Sequence, residues 1–384
     1  MIKHPPLTIG IEEEFMIIDP NTRALTTSVS DILEQGRAIL GDQIKAEFMQ
    51  SQVEVGSVIC NDIYEARADL TRLRRTVSQV ALENGKVMAA AATHPFSRWH
   101  DQHITDDQRY DDLRSDMREV AQRLLIFGLH IHLGFGDDES MRALTIDIMN
   151  QMRYFLPHIL ALTTSSPFWH SRETGLKSYR SVVFESLPRT GIPPIFNSYE
   201  EYDHFVALLG KAGSLGRAGK DATKIWWDVR PNPRIGTLEI RVSDMCTTID
   251  EAICVAAVIQ SLAAKLIKLR ANNQSWRLYR GELIKENKWR AARYGIEGSL
   301  IDFGSEEAVP VPTLWSELLE FIDDVVPQLG TRKDVEYVHT ILKNGTSADR
   351  QIATYRAALA EGCTAEDALI KVTDRIIAET QQGI

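Results

Sequence analysis

Five short segments place acids, histidines and arginines two residues apart, the spacing that puts side chains on one face of a β-strand. Glu12 and Glu14 share a face in Gly10-Ile-Glu-Glu-Glu-Phe15, and Ile11 and Phe15 take the other. Gln52 and Glu54 oppose Val53 and Val55, and His130 and His132 oppose Leu129, Ile131 and Leu133. Asp228 and Arg230 oppose Trp227 and Val229, and Glu239 and Arg241 oppose Leu238, Ile240 and Val242. Each strand thus joins a purely apolar face to one rich in Glu, His, Asp and Arg. A half-buried sheet with one wet face explains any single strand equally well. It explains the set less well, because a solvated face mixes Thr, Lys, Ser and Gln. Carboxylates on neighbouring strands also repel unless cations neutralise them. Oxygen donors with a few imidazoles suit Mg2+ or Mn2+ better than structural zinc.

The arginines on the same face extend the chemistry. A metal can bridge carboxylate and phosphate while arginine forks onto phosphoryl oxygens, so this face can hold a metal-bound polyphosphate. Arg241, two residues from Glu239, is placed to stabilise a transferring phosphoryl group, and the two form the candidate catalytic pair. A structural salt bridge from Arg241 to one of the glutamates is the alternative. The glycine-rich stretch 210–220 is not a P-loop, because Gly213 stands five residues before the Gly-Lys pair and Asp221 replaces Ser or Thr. It reads as a flexible basic loop near the site, a candidate lid. His130-Ile-His132 alone would suit a zinc hydrolase, but neither a Cys ligand nor a His-Glu-x-x-His helix accompanies it. Either histidine could equally be a hydrogen-bonded core group.

The elements that must position these residues are strands in the first two thirds and helices in the last third. Alternating stretches cover 7–18, 44–55, 86–92, 124–135, 224–230 and 237–242. Helical periodicity covers 63–84, 137–164, 198–211, 249–271, 312–326, 348–361 and 364–379. Residues 231–236 can hold only a turn, so the strands on either side form an antiparallel hairpin. The expected fold is α+β, an antiparallel sheet with helices packed on one face.

Bulk properties narrow the function classes. The 384 residues are 44% hydrophobic and 25% charged, a soluble globular mix, and the net charge of −10 argues against a nucleic-acid partner. Four cysteines (Cys60, Cys246, Cys254, Cys363) match neither a disulfide framework nor a zinc knuckle, and three read as reduced core residues. The apolar stretch 252–267 is interrupted by Gln260 and Lys265 and reads as too short for a bilayer, and the N-terminus does not read as a signal peptide. No membrane partner and a cytoplasmic location are expected.

At these strands the chain resembles the glutamate–cysteine ligase type 2 family of bacterial carboxylate–amine ligases. The matching stretches run in order: Gly10-Ile-Glu-Glu-Glu-Phe15, Thr93-His-Pro-Phe96, Gly128-Leu-His-Ile-His132, Tyr179-Arg-Ser181, Leu187-Pro-Arg-Thr-Gly-Ile-Pro193, Trp226-Trp-Asp-Val-Arg-Pro231, Gly236-Thr-Leu-Glu-Ile-Arg241 and Glu286-Asn-Lys-Trp-Arg-Ala-Ala-Arg293. One departure is Ala92, where glycine is expected in relatives.

The resemblance implies a glutamine synthetase-like fold with a curved antiparallel sheet, ATP, magnesium, and a γ-glutamyl phosphate attacked by the amine of cysteine. Carried onto this chain, it makes Glu12, Glu14, Glu54, His132 and Glu239 metal ligands and faces Arg241 to the γ-phosphate. Arg180 and Arg189 become candidate grips on a substrate carboxylate. Lys288, Arg290 and Arg293, with Arg230, become candidate nucleotide contacts. The chain is expected to be one ligase domain, strand-rich to about residue 295 and mostly helical over 296–384, with a homodimer as candidate assembly. Two other readings use the same face: an ATP-dependent phosphotransferase to a guanidino or carboxylate group, and a non-catalytic metal–nucleotide sensor.

Overall fold

The computed structural model describes residues 5–26, 29–136, 138–215 and 222–384. A seven-stranded sheet organises it: β1 (Ile9–Ile18), β2 (Ile44–Ala46), β3 (Gln52–Gly56), β4 (Val87–Ala89), β5 (Leu129–Gly134), β6 (Val229–Asn232) and β7 (Thr237–Ile240). Every pairing is antiparallel, in the order β6-β7-β5-β1-β3-β2, with β4 on the last residues of β1. Met16 is in register with Gln52 of β3 and with Ala89 of β4. Strand β4 therefore continues the side of β1 that β5 occupies earlier. The expected α+β class and the β6–β7 hairpin are both present.

The alternation of β1 puts Ile9, Ile11, Phe15 and Ile17 into the core, each at 1% exposure or less. That face is not purely apolar, as the sequence reading had it. Glu13 lies on it with no exposed surface, and the equally buried Arg74 meets it with two hydrogen bonds, at 2.8 Å and 2.5 Å. Arg74 also donates to the carbonyls of Thr247 at 2.8 Å and Cys246 at 3.0 Å. Its helix, Ile63–Glu83, starts at Asp62, whose side chain accepts the N–H groups of Tyr64 and Glu65. One apolar stripe, including Ala66, Leu70, Leu73 and Val77, buries it against the sheet.

The helix Ile249–Ala271 starts with a Thr248–Glu251 capping box and also packs behind the sheet. It has 23 residues and is long enough to cross a bilayer, contrary to the expectation of too short a stretch. Its place in the core is set by the burial of both sides, which include Ala252, Ile253, Val258 and Leu262. Cys60, Cys246 and Cys254 are buried and free, as expected of core residues.

Several elements differ from the sequence pattern. Residues 44–55 form two strands rather than one, because the chain turns back between Ala46 and Gln52. The helix expected over 137–164 breaks at the turn Arg153–Phe155 and resumes as Leu156–Thr163, with Pro157 in its first turn. Trp226–Trp227 leaves the main sheet to pair in parallel with Thr190–Gly191. Helices Ser30–Leu40, Gln108–Met117, Tyr179–Glu185 and Gly281–Tyr294 are additional, and a hairpin, Ser299–Asp302 with Glu307–Pro310, precedes the terminal helices. Of the glycine-rich basic segment, 216–221 lies outside the described residues. A continuous hydrophobic core runs from Leu7 to Ile376.

Replacing Arg74 with Met strands a buried carboxylate, and the expected loss is about 3–5 kcal/mol of unfolding free energy. The double replacement Glu13→Leu/Arg74→Met should recover most of it. Urea denaturation midpoints of the three proteins test this. A single variant within about 1 kcal/mol of the parent, against that expected loss, would show that the pair does not hold the sheet to its helix.

Candidate functional site

Strand register assembles the polar face row by row. Arg230 of β6 stands opposite Glu239 of β7, which stands opposite His132 of β5, which stands opposite Gly10 of β1. In the next row His130 faces Glu12, and in the third Glu14 faces Glu54, with Lys45 of β2 beyond it. All five sequence-expected metal ligands therefore lie on one side of one sheet.

Glu12, His132 and Glu239 each offer a ligand atom within 4.8 Å of the others. His132 Nε2 lies 3.5 Å from Glu12 Oε2 and is buried without a hydrogen-bond partner. Its Nδ1 lies 3.1 Å from the Thr237 hydroxyl, which fixes the ring and leaves Nε2 facing the carboxylates. An oriented, unpartnered imidazole nitrogen between two carboxylates fits a divalent cation with oxygen and nitrogen ligands. His130 Nδ1 is 3.4 Å from Glu12 and 3.3 Å from Arg241. Burial, helped by Arg241, brings the His130 imidazole down to about 3 and keeps it neutral. Burial opposes ionisation of Glu12, but the neighbouring His130 and His132 imidazoles hold its carboxyl well below the usual range.

The second group comprises Glu14, Glu54 and Glu47, a residue the sequence reading missed. Burial pushes the Glu14 carboxyl up to about 7, with Arg180 opposing the rise and Glu54 adding to it. Burial, then the charges of Glu54 and Glu14, raise Glu47 well above the carboxylate range. Lys45 reaches Glu54 at 3.1 Å, but it alone does not balance three crowded acids. Two raised carboxyls, Glu14 and Glu47, packed beside Glu54 are an arrangement that a cation would relieve. Glu47 sits in the connection between β2 and β3, where no alternation could mark it.

The basic residues divide by what they touch. Glu239 is clamped by Arg230 at 2.8 Å and 3.2 Å, and by Arg241. Burial works against its charge, but Arg241 and Arg230 hold its carboxyl far below the usual range. Arg230 also donates to the carbonyls of Thr223 and Ile225 at 2.5 Å and 2.6 Å, so its donors are spent on structure. Arg180 projects over the face: a Cβ added at Gly128 would lie 2.5 Å from Arg180 Nη2. Glycine at 128 makes room for that guanidinium, and the Gly128 N–H donates to Glu14 at 2.7 Å. The Arg180 helix starts at Ser178, whose hydroxyl donates to buried Asp244 at 2.7 Å, and Asp244 also accepts from Ser165 and Ser166.

Lys288 is buried and bridges Asp228 at 2.6 Å and Glu185 at 2.7 Å. Arg290 and Arg293 are not brought beside it. At 100° per residue they fall on other sides of their helix, where Arg290 pairs with Glu286 and Arg293 donates to the Gly175 carbonyl. Arg189 donates to the Lys224 carbonyl at 3.1 Å and lies over the Trp226 ring. The Thr93-His-Pro-Phe96 motif is structural in this fold. His94 Nδ1 accepts the N–H groups of Phe96 and Ser97, so its proton is on Nε2, which donates to the Arg23 carbonyl at 2.9 Å.

A model of glutamate-cysteine ligase family 2 matches residues 8–372. A Herpetosiphon aurantiacus protein, provisionally named glutamate–cysteine ligase 2, is 49% identical over 382 residues, covering 99% of this chain and 95% of its own. Glutamate–cysteine ligase from Francisella tularensis, solved in complex with AMP, superposes with a TM-score of 0.68 at 14% identity, covering 99% of this chain and 90% of that one. A bifunctional glutathione synthetase from Pasteurella multocida gives 0.69 at 14%, covering 98% of this chain and 53% of that one. At such identities the solved structures show a shared fold. The class is that of ATP-dependent ligases with the glutamine synthetase-like fold, which form a carbon–nitrogen bond. Within it, the chain belongs to glutamate-cysteine ligase family 2.

The Thr237 hydroxyl gives the sharpest test of the first cation site. Thr237→Val removes the bond that orients His132 and should weaken Mn2+ binding about 10–100-fold. Titration followed by electron paramagnetic resonance measures this directly, and an unchanged affinity would remove His132 from the ligand set.

Proposed function

We propose that the protein joins the γ-carboxylate of glutamate to the amine of an amino acid through a γ-glutamyl phosphate formed from ATP. The observation that carries this is the Glu12–His132–Glu239 group beside Arg241 on one sheet face, with an unpartnered imidazole nitrogen aimed between the carboxylates. In the first step a carboxylate oxygen attacks the γ-phosphorus and ADP leaves. In the second the amine nitrogen attacks the acyl carbon, the carbon–nitrogen bond forms, and phosphate leaves with the carbon–oxygen electron pair. The ammonium proton is released.

Magnesium or manganese held by Glu12, His132 and Glu239, and by Glu14, Glu54 and Glu47, would supply charge neutralisation for the phosphates. Arg241 faces the transferring phosphoryl group with its Nε buried and free of hydrogen-bond partners. Arg230 holds Glu239 in place. Arg180, whose Nε is likewise unpartnered, grips the substrate carboxylate above Gly128. Arg189 is a second grip at the rim. Lys288, Arg290 and Arg293 are the further candidate nucleotide contacts, Lys288 being already engaged by Asp228 and Glu185. No group of the protein need become covalently attached.

The acyl phosphate can be tested without knowing the acceptor. With ATP, magnesium and glutamate, hydroxylamine should trap the activated carboxylate as a hydroxamate, with one ADP per hydroxamate. ATP binding without hydroxamate from any of a broad set of carboxylates would exclude the ligase mechanism. Arg241→Ala should lower turnover about 10²–10³-fold, the usual loss for a transition-state contact, with a much smaller change in the KM for ATP. Arg230 still pairs with Glu239 in that variant, so thermal unfolding should show a folded protein. Unchanged turnover would reduce Arg241 to a structural salt bridge.

A further inference from the structure

An open cavity of about 400 Å³, whose lining includes none of the sheet-face carboxylates, is lined by residues that include Trp99, His100, Trp169, His170, Tyr179 and Val182. Its walls are flat. Trp99 stacks on His100 with ring centroids 3.4 Å apart, and Trp169 on His170 at 4.7 Å with planes 14° apart. Tyr179 lies 5.4 Å from Trp169, and the two imidazoles stand 6.0 Å apart.

His170 and Ser171 form the two-residue turn of the hairpin Phe168–Trp169 with Arg172–Glu173, at φ 49° and 64°. Both values fall in the left-handed region that such turns normally give to Asn and Gly. Two non-glycine residues held there indicate a conformation kept for what it presents. What it presents is an imidazole whose Nε2 is buried without a partner.

The cavity adjoins the catalytic face through one helix start. Tyr179 lines it, and the next residue, Arg180, lies over Gly128 beside Glu14. The two charged residues in the lining, Arg123 and Glu119, pair with each other at 2.9 Å, and Arg98, Arg172 and Asp101 lie close enough to bear on His170.

Resting on the ligase reading above, we propose that this cavity receives the amine acceptor, and that the acceptor is an amino acid with a planar ring as its side chain. Offset and edge-to-face ring packing favours a planar guest. The cavity far exceeds a CH2SH group, so cysteine would leave most of it wet. Arg98 and Arg172 beside His170 suit the acceptor's own carboxylate, which a nucleobase lacks.

The test compares kcat/KM for a panel of amino acids, by ADP release and by mass of the γ-glutamyl product, with hydroxylamine as the common reference. Phenylalanine, tyrosine, tryptophan or histidine should exceed alanine and cysteine by at least tenfold. Val182→Trp should fill the cavity and abolish that preference. Val182 is 38% exposed, so the larger ring should not disturb packing beneath it. As a second variant, His170→Gly relaxes the turn, removes the imidazole, and should raise the KM for the preferred acceptor. Cysteine or alanine matching the ring-bearing acceptors, or a preference that survives Val182→Trp, would overturn the proposal. A rise in the KM for ATP instead would assign the cavity to the nucleobase and overturn it as well. Hydroxamate formation with a flat acceptor profile defeats the cavity assignment alone, whereas no hydroxamate at all defeats the ligase reading beneath it.

Discussion

Everything on the catalytic side of this protein depends on which way β1 faces, and one buried ion pair fixes that. Side chains in a strand alternate, so a slip of one residue would send Glu12 and Glu14 into the core and Glu13 out of it. Apolar neighbours alone would oppose the slip. The Glu13–Arg74 pair adds direction, because Arg74 is anchored to a helix and to the carbonyls of Cys246 and Thr247. A one-residue slip would bring Glu12 or Glu14 to Arg74 but bury the other carboxylate, unpaired, in the place of Phe15 or Ile11. Such a pair is weak evidence for net stability, since desolvation offsets most of the attraction. Its contribution here is register, and through register the placing of two candidate metal ligands on the opposite face.

That opposite face is a problem in charge balance. Glu14 faces Glu54 directly, Glu47 lies near both, and Glu12 and Glu239 stand one strand away on either side of His132. The structure answers unequally at the two ends. Around Glu239 two arginines more than compensate, and the carboxyl stays ionised. Around Glu14 and Glu47 compensation is incomplete, and burial with mutual repulsion favours the protonated forms. The under-compensated end is therefore where a cation gains most, while the arginine end is suited to an incoming anion. A metal-bound polyphosphate lying across the face meets both requirements at once.

Much of this was legible in the sequence because two-residue periodicity is a direct image of a sheet. Parity put Glu12, Glu14, Gln52, Glu54, His130, His132, Asp228, Arg230, Glu239 and Arg241 on polar strand faces, the family resemblance picked the expected ligands among them, and the short span 231–236 required the β6–β7 hairpin. What escaped was whatever periodicity does not encode. Glu47 lies in the irregular connection between β2 and β3. Asp244 lies beyond the last strand residue and acts by accepting hydrogen bonds from three serines. The helix Gly281–Tyr294 begins after Arg280 with no side-chain cap, so nothing announced it. Glu13 was readable by the same parity as its neighbours, yet its meaning depended on Arg74, sixty-one residues away. The basic residues were hardest, since a sequence shows a charge but not what it already holds: Arg230 and Lys288 are engaged, and Arg180 has an unpartnered Nε.

This division of labour bears on how such a protein can change its substrate. The candidate phosphate-handling groups sit on strands whose register is locked at the centre of the sheet, where altering one residue disturbs its neighbours on both sides. The aromatic cavity is built from a short 3-10 turn at Trp99–Asp101, a two-residue hairpin turn and a seven-residue helix, all outside the main sheet. Those elements can vary without disturbing β1, provided that the Ser178–Asp244 bond keeps Arg180 over Gly128. On the proposed reaction, a scaffold arranged this way would separate activation of a carboxylate, which needs fixed charge, from selection of an amine, which needs only shape beside it. On that reading the strand-borne site would constrain the first half of the reaction more tightly than the second.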